Sequence, residues 1–318
     1  MNIFVGLEDS ITCKVCGNTD NGLFDKVYQF DHFKVLKCKN CTFTFVPPGE
    51  GPEISYDHFK SERELQTVRN GNDWLKFERH KLRVHYIKRF KKDGHLFDLG
   101  TGWGHFLETA RQLGYTVSGV EVSKHQFTYA KEDLNLPVEC IDFFDYSAAP
   151  ASLDIITMWD VLEHIDDVDG ILKHIHQLLS ENGLLVIQVP QIDSFIAKRT
   201  GKKWSMLSHT HINYFSRSTM KKTLEKNGYE VLDFRSSIEL KLLLMYVLYP
   251  ILRKFKGDKK EDITSNERQT YFNKVTNQPK WFLKTSVVLH NLLYNLLSRL
   301  NIGEELMVVA RKKSNAEL

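Results

Sequence analysis

Four of the five cysteines fall in two pairs, Cys13-x2-Cys16 and Cys38-x2-Cys41, with 21 residues between the pairs. In a reducing compartment disulfides are disfavoured, and two such knuckles bring four thiolates to one tetrahedral Zn2+. Four Cys ligands leave no position for an activated water. The metal is therefore read as structural, folding a zinc ribbon of roughly 50 residues, too few to hold a core unaided. A thioredoxin-like role fits less well, because no strand-helix unit surrounds either pair. Cys140 stands alone and is expected to be a buried, inert thiol.

A second pattern is the glycine-rich run Asp98-Leu99-Gly100-Thr101-Gly102-Trp103-Gly104. Glycines at such a strand-to-helix turn let backbone approach a ligand closely, and the following helix N-terminus favours an anion. The spacing is GxGxG rather than GxGxxG, which argues against a pyrophosphate cofactor. Glu121 follows Gly100 by 21 residues, where a carboxylate accepts both hydroxyls of a ribose.

The elements that must position these residues follow from periodicity. After the ribbon, Pro47-Pro48-Gly49-Glu50-Gly51-Pro52 marks a boundary, and residues 73–92 have apolar residues at helical spacing with basic residues between them. Short apolar strands are then predicted at His95 to Leu99, Thr116 to Val120, Val138 to Ile141, Asp154 to Met158 and Leu184 to Val189, alternating with helices. Further strands are predicted at Tyr229 to Phe234 and Glu305 to Ala310. Repeated βαβ order implies an α/β fold, a Rossmann-like parallel sheet that binds ligand at the carboxyl ends of its strands. The expected organisation is a ribbon over 1–50, a linker and amphipathic helix over 51–93, a catalytic domain over 94–235 plus 301–313, and a helical insertion over 236–300.

In these residues the chain resembles the class I S-adenosylmethionine-dependent methyltransferases, whose glycine motif looks like DLGTGWG here and whose second-strand acid falls on Glu121. The resemblance continues through Asp142 in CIDFF, through Asp160-Val161-Leu162-Glu163-His164, and through Gly183 to Pro190 and His211 to Asn227, covering residues 95–235 and 303–312. It implies a seven-stranded sheet and S-adenosyl-L-methionine as cofactor, held by Asp98, Gly100, Gly102, Gly104, Glu121, Asp142 and Asp160. Asp142 would lie near the adenine. Asp160 would meet the ammonium of the methionine end, or cap a helix starting near Val161. One subgroup, associated with sugar, polysaccharide and secondary-metabolite modification, is similar in carrying a CxxC…CxxC ribbon with Cys13, Cys16, Cys38 and Cys41 as metal ligands. The acceptor so implied is a small molecule or a glycan-type molecule.

Methyl transfer from a sulfonium is an in-line displacement that needs alignment, exclusion of water and, for some acceptors, a base. His211, where the resemblance lands, and His209 beside it are the candidate bases. Glu163 and His164 read as helix-surface or packing residues, His174 and His176 as part of an amphipathic helix, and Trp204 and Tyr214 as acceptor-pocket walls or core.

Two other functions stay open: RNA methylation, with Lys14, Lys26, Lys34, Lys37 and Lys39 of the ribbon as an RNA grip, and a scaffold that binds cofactor without turnover. A dehydrogenase is disfavoured, since its Tyr-x-x-x-Lys pair would be Tyr56 and Lys60, before the first strand of the domain. Lys+Arg 43 against Asp+Glu 40 gives +3, so composition calls for no nucleic-acid partner. Residues 236–318 nevertheless hold 14 basic and 8 acidic residues. Together with the apolar segments around Leu240 to Leu252 and Trp281 to Leu300, they suit a cap, a dimer surface or a peripheral membrane contact through 240–300. Leu242 to Leu252 is only eleven residues, short of the roughly 20 a spanning helix needs. The N-terminus lacks a signal-peptide pattern, so a cytoplasmic location is expected.

Overall fold

The structure is a computed structural model that describes residues 11–50, 68, 74–208, 210–237 and 298–314. The insertion expected over 236–300 falls almost wholly outside the described residues, as do Tyr56, Lys60 and His209. Among the described residues no helix is long and apolar enough to cross a membrane.

Eleven strands appear among the described residues: β1 (Phe24–Gln29), β2 (Lys34–Cys38), β3 (Thr44–Phe45), β4 (His95–Leu99), β5 (Thr116–Val120), β6 (Val138–Glu139), β7 (Leu153–Trp159), β8 (Leu179–Pro190), β9 (Asn213–Tyr214), β10 (Tyr229–Ser237) and β11 (Glu305–Lys312). Seven of them form one sheet in the order β10-β11-β8-β7-β4-β5-β6. The five strands β6, β5, β4, β7 and β8 are parallel, and β11 and β10 close the other edge antiparallel. The chain runs from β4 outward to β5 and β6, then returns to β7 on the other side of β4. That reversal opens a crevice at the carboxyl ends of β4, β5 and β7.

The central strands are covered on both faces, which is why Leu184 to Val189 is almost unbroken in its hydrophobicity. One face buries Phe97, Leu99, Ile156, Met158, Ile187 and Tyr229; the other buries Leu96, Ile155, Leu107, Val186 and Ile87. Ile87 belongs to the helix Trp74–Ile87, shorter than expected because the chain turns at Lys88 to Phe90. β8 starts at Leu179, five residues earlier than its apolar run suggests, and β6 ends at Glu139.

The cysteine-bearing segment is joined to the rest by backbone. β1, β2 and β3 continue into β9, with Thr44 opposite Tyr214 and Phe45 opposite Asn213. Its buried Cys13, Leu36, Phe43 and Phe45 share a core cluster with Phe97 and Phe215, the rings of Phe43 and Phe215 lying 5.3 Å apart. Trp204 and Tyr214, 2% and 0% exposed, pack under this sheet with Phe33 and Val35 and are core residues rather than pocket walls. Cys140 is exposed, contrary to expectation, because β6 stops one residue before it and releases the chain to the surface.

Candidate active site

A cavity of about 720 Å3 lies in the crevice where β4, β5 and β7 end. A volume of that order accommodates a nucleotide-sized cofactor with an acceptor beside it. Gly100, at φ +74, turns the chain out of β4 where only glycine is unstrained, and a Cβ there would meet Val161 Cγ2 at 2.9 Å. Gly102, at φ +55, has no atom nearer than 4.0 Å to such a Cβ and leaves its stretch of backbone open to the cavity.

Glu121 is 6% exposed and lines the cavity. The N–H of Gly102 donates to its Oε2 at 2.7 Å, and the N–H of Ser123 donates to its Oε1 at 2.7 Å. Two backbone donors thus fix the carboxylate at the cavity wall. Asp142 lines the cavity too, its Oδ1 capping the short turn Phe143–Asp145 through the N–H of Phe144. Asp98 and Gly104 lie behind the cavity wall. Asp98 is 1% exposed and accepts the Thr157 hydroxyl at 2.5 Å; burial pushes its carboxyl well above the usual range. Gly104, at φ +74, packs where a Cβ would strike Leu136 Cδ1 at 2.7 Å.

Asp160 is not a helix cap. It sits at φ +59 at the end of β7, and the turn after it, Leu162–His164, has no side-chain cap. Its carboxylate faces the cavity and accepts from Gln188 Nε2 at 3.1 and 3.3 Å. Gln188 Oε1 in turn accepts from Arg83 Nη2 at 2.9 Å, and the Arg83 guanidinium lies 4.3 Å from the Trp159 ring centroid. Arg83 and Gln188 were missed from sequence, although a glutamine inside LLVIQVP is the kind of buried polar residue that marks a purpose. Gln188→Leu keeps the size but removes both bonds. It is expected to raise the Kd for the cofactor by about 10-fold, the worth of one hydrogen bond to a charged group, measured by calorimetry.

The left-handed turn at Asp160 drives Glu163 inward. Its side chain is 1% exposed and, among the described residues, neither oxygen has a hydrogen-bond partner; burial, and then the charge of Asp160, raises its carboxyl well above the usual range. His164 lines the cavity, with Nδ1 2.7 Å from the carbonyl of Thr210 and burial lowering its basicity. His211 packs edge to face against it at 4.8 Å, with Nδ1 2.9 Å from the carbonyl of Met206. Of the two roles read for Glu163 the surface one is ruled out and the buried one holds, whereas His164 is neither: among the described histidines it is the one that lines the cavity, with His211 packed against it.

The four ribbon thiols converge as their spacing predicts. Every pair of sulfurs is within 4.8 Å, with Cys13 Sγ 3.4 Å from Cys41 Sγ and Cys16 Sγ 3.7 Å from Cys38 Sγ. Sulfurs about 2.3 Å from a tetrahedral Zn2+ lie about 3.8 Å apart, whereas a disulfide needs about 2.05 Å, so the arrangement fits a metal. Burial raises the Cys13 thiol to about 11 and pushes Cys41 higher still. One knuckle also touches the cavity loop: Lys14 Nζ is 2.7 Å from Asp166 Oδ1.

Residues 75–233 match a family described as a methyltransferase domain. A ubiquinone biosynthesis O-methyltransferase from Coxiella burnetii is 30% identical over 111 residues, 33% of this chain and 47% of that protein. One from Pelagibacter ubique is 30% identical over 125 residues, 33% of this chain and 51% of that protein. The chain thus spans about half the length of the curated relatives it matches. A SAM-dependent methyltransferase from Archaeoglobus fulgidus superposes with a TM-score of 0.50 at 21% identity, covering 79% of this chain and 100% of that one, a likeness of fold.

Proposed function

Because the chain belongs to the class I S-adenosylmethionine-dependent methyltransferases, we propose that it methylates a small-molecule or glycosidic acceptor, lipid-linked acceptors included, in the cavity at the ends of β4, β5 and β7. The observation that carries this reading is Glu121, clamped by two backbone N–H groups with its carboxylate in the cavity beside an open glycine turn. Bound S-adenosylmethionine supplies an electrophilic methyl on a sulfonium that leaves as a neutral thioether. In this proposal Glu121 accepts the two ribose hydroxyls, Asp142 with its neighbour Phe144 borders the adenine, and Asp160 pairs with the ammonium. Ile141, Val161, Ile165 and Ile171 line the same cavity and keep water from the reacting centre.

The acceptor's proton leaves toward the cluster of Glu163, His164 and His211. The curated relatives are O-methyltransferases, which favours a hydroxyl acceptor. Cys13, Cys16, Cys38 and Cys41 are proposed to hold a structural Zn2+.

Calorimetry tests the cofactor. S-adenosylmethionine and its demethylated product are expected to bind and NAD is not; NAD binding with no affinity for either would sink the reading. Glu121→Ala is expected to weaken cofactor binding about 10- to 100-fold, since it removes charge-assisted hydrogen bonds worth about 1.5–3 kcal/mol. Wild-type affinity in that variant would place the ribose elsewhere.

A further inference from the structure

The Glu163 carboxyl is buried beside the cavity. Among the described residues neither of its oxygens has a hydrogen-bond partner, at 1% exposure, a situation that costs several kcal/mol for a charge. Its neighbours are two imidazoles. In His164 and His211 alike, Nδ1 lies against a backbone carbonyl, so Nδ1 carries the proton and Nε2 carries the lone pair. Backbone anchoring of one ring nitrogen is how ligating histidines are commonly oriented. One donor atom from each of the three side chains lies within 4.8 Å of the others.

We infer that Glu163, His164 and His211 form a second metal site, distinct from the four cysteines, that binds a first-row divalent transition metal with its open coordination positions toward the cavity. Two imidazoles and one carboxylate suit Zn2+, Fe2+, Co2+ or Mn2+ rather than Mg2+ or Ca2+. Donors about 2.1 Å from a metal sit about 3–3.4 Å apart, so His164 Nε2 and Glu163 Oε1, at 4.0 Å, must close by about 0.6–1 Å, and no pair by more than about 1.8 Å. Among the described residues no other side chain holds the Glu163 oxygens in place. The surrounding backbone is already braced: Ile212 N–H donates to the Glu163 carbonyl at 2.9 Å, and Asn213 Nδ2 donates to the carbonyls of Leu162 and Ile165 at 3.2 and 2.7 Å. Three protein ligands leave room for an exogenous oxygen. His164 lines the cavity, so on the methyltransferase reading the metal would bind an acceptor oxygen and favour its deprotonated form.

The test counts metal on the full chain with neither cofactor nor acceptor present. Reconstituted with Co2+, the wild-type protein is expected to hold one equivalent more than Glu163→Gln, and one more than His211→Asn. That extra equivalent should absorb weakly in the visible without thiolate charge transfer, while the near-ultraviolet thiolate band of the cysteine site persists in both variants and reports that they are folded. Equal cobalt content in wild type and both variants overturns the inference, as does an extra equivalent whose spectrum carries thiolate character. Cofactor binding is read separately by calorimetry, so failure of the metal site leaves the methyltransferase reading intact, and the reverse also holds.

Discussion

Cys38→Ser is expected to unfold the cysteine-bearing segment and to reduce methyl transfer with it. Cys38 is fully buried at the end of β2, facing Cys16, and a serine there removes one of four converging thiols from the site. Structural Zn2+ supplies on the order of 10–16 kcal/mol to small zinc domains, as much as the whole stability of an ordinary domain at about 5–15 kcal/mol. The loss spreads, because β3 pairs with β9 two residues after His211 and Lys14 holds Asp166 on the cavity loop. Thermal unfolding, bound zinc and turnover are the readouts. A variant with unchanged melting temperature and zinc content would refute the structural-metal reading, and a chelator should reproduce the variant's behaviour in the wild type.

His164→Ala should lower kcat by about 10²- to 10⁴-fold, the range expected when a positioned group that handles a proton is lost. His164 is the imidazole on the cavity wall, and it follows β7, whereas Glu121 and the glycine turn follow β5 and β4. Cofactor affinity should therefore stay near wild type while turnover falls. Single-turnover kinetics with calorimetry separates the two. A variant that loses both equally would show that His164 shapes the cofactor's seat instead.

Much of the large sheet was legible because its strands carry their own boundaries. β4 and β5 begin and end at the residues where apolar alternation meets glycine or a turn, and the two agree with expectation residue for residue. The cysteine pairs were legible because thiolate spacing is a local property. Glu121 was legible for the same reason, as a carboxylate at a fixed distance from a glycine turn. Glu163 was not, because nothing local distinguishes a surface helix from a turn that a left-handed Asp160 rotates into the interior. Nor was the union of β3 with β9: two strands of two residues each have no periodicity to read, and their pairing depends on a partner about 170 positions away. Trp204 and Tyr214 were ambiguous on composition, and only the sheet they underlie makes them core.

That distant pairing has a consequence for biogenesis. Synthesis proceeds at about 5–20 residues per second, so β3 emerges roughly 10–30 s before the residues that complete its sheet. During that interval Phe43 and Phe45 have their own segment but not Phe215 to lie against. A nascent chain in this state exposes apolar surface and an unpaired strand edge, the two features that invite chaperones and aggregation. Zinc captured early by the four thiolates would keep that edge ordered while it waits, so metal supply during translation, and not only in the finished protein, should govern the yield of soluble chain.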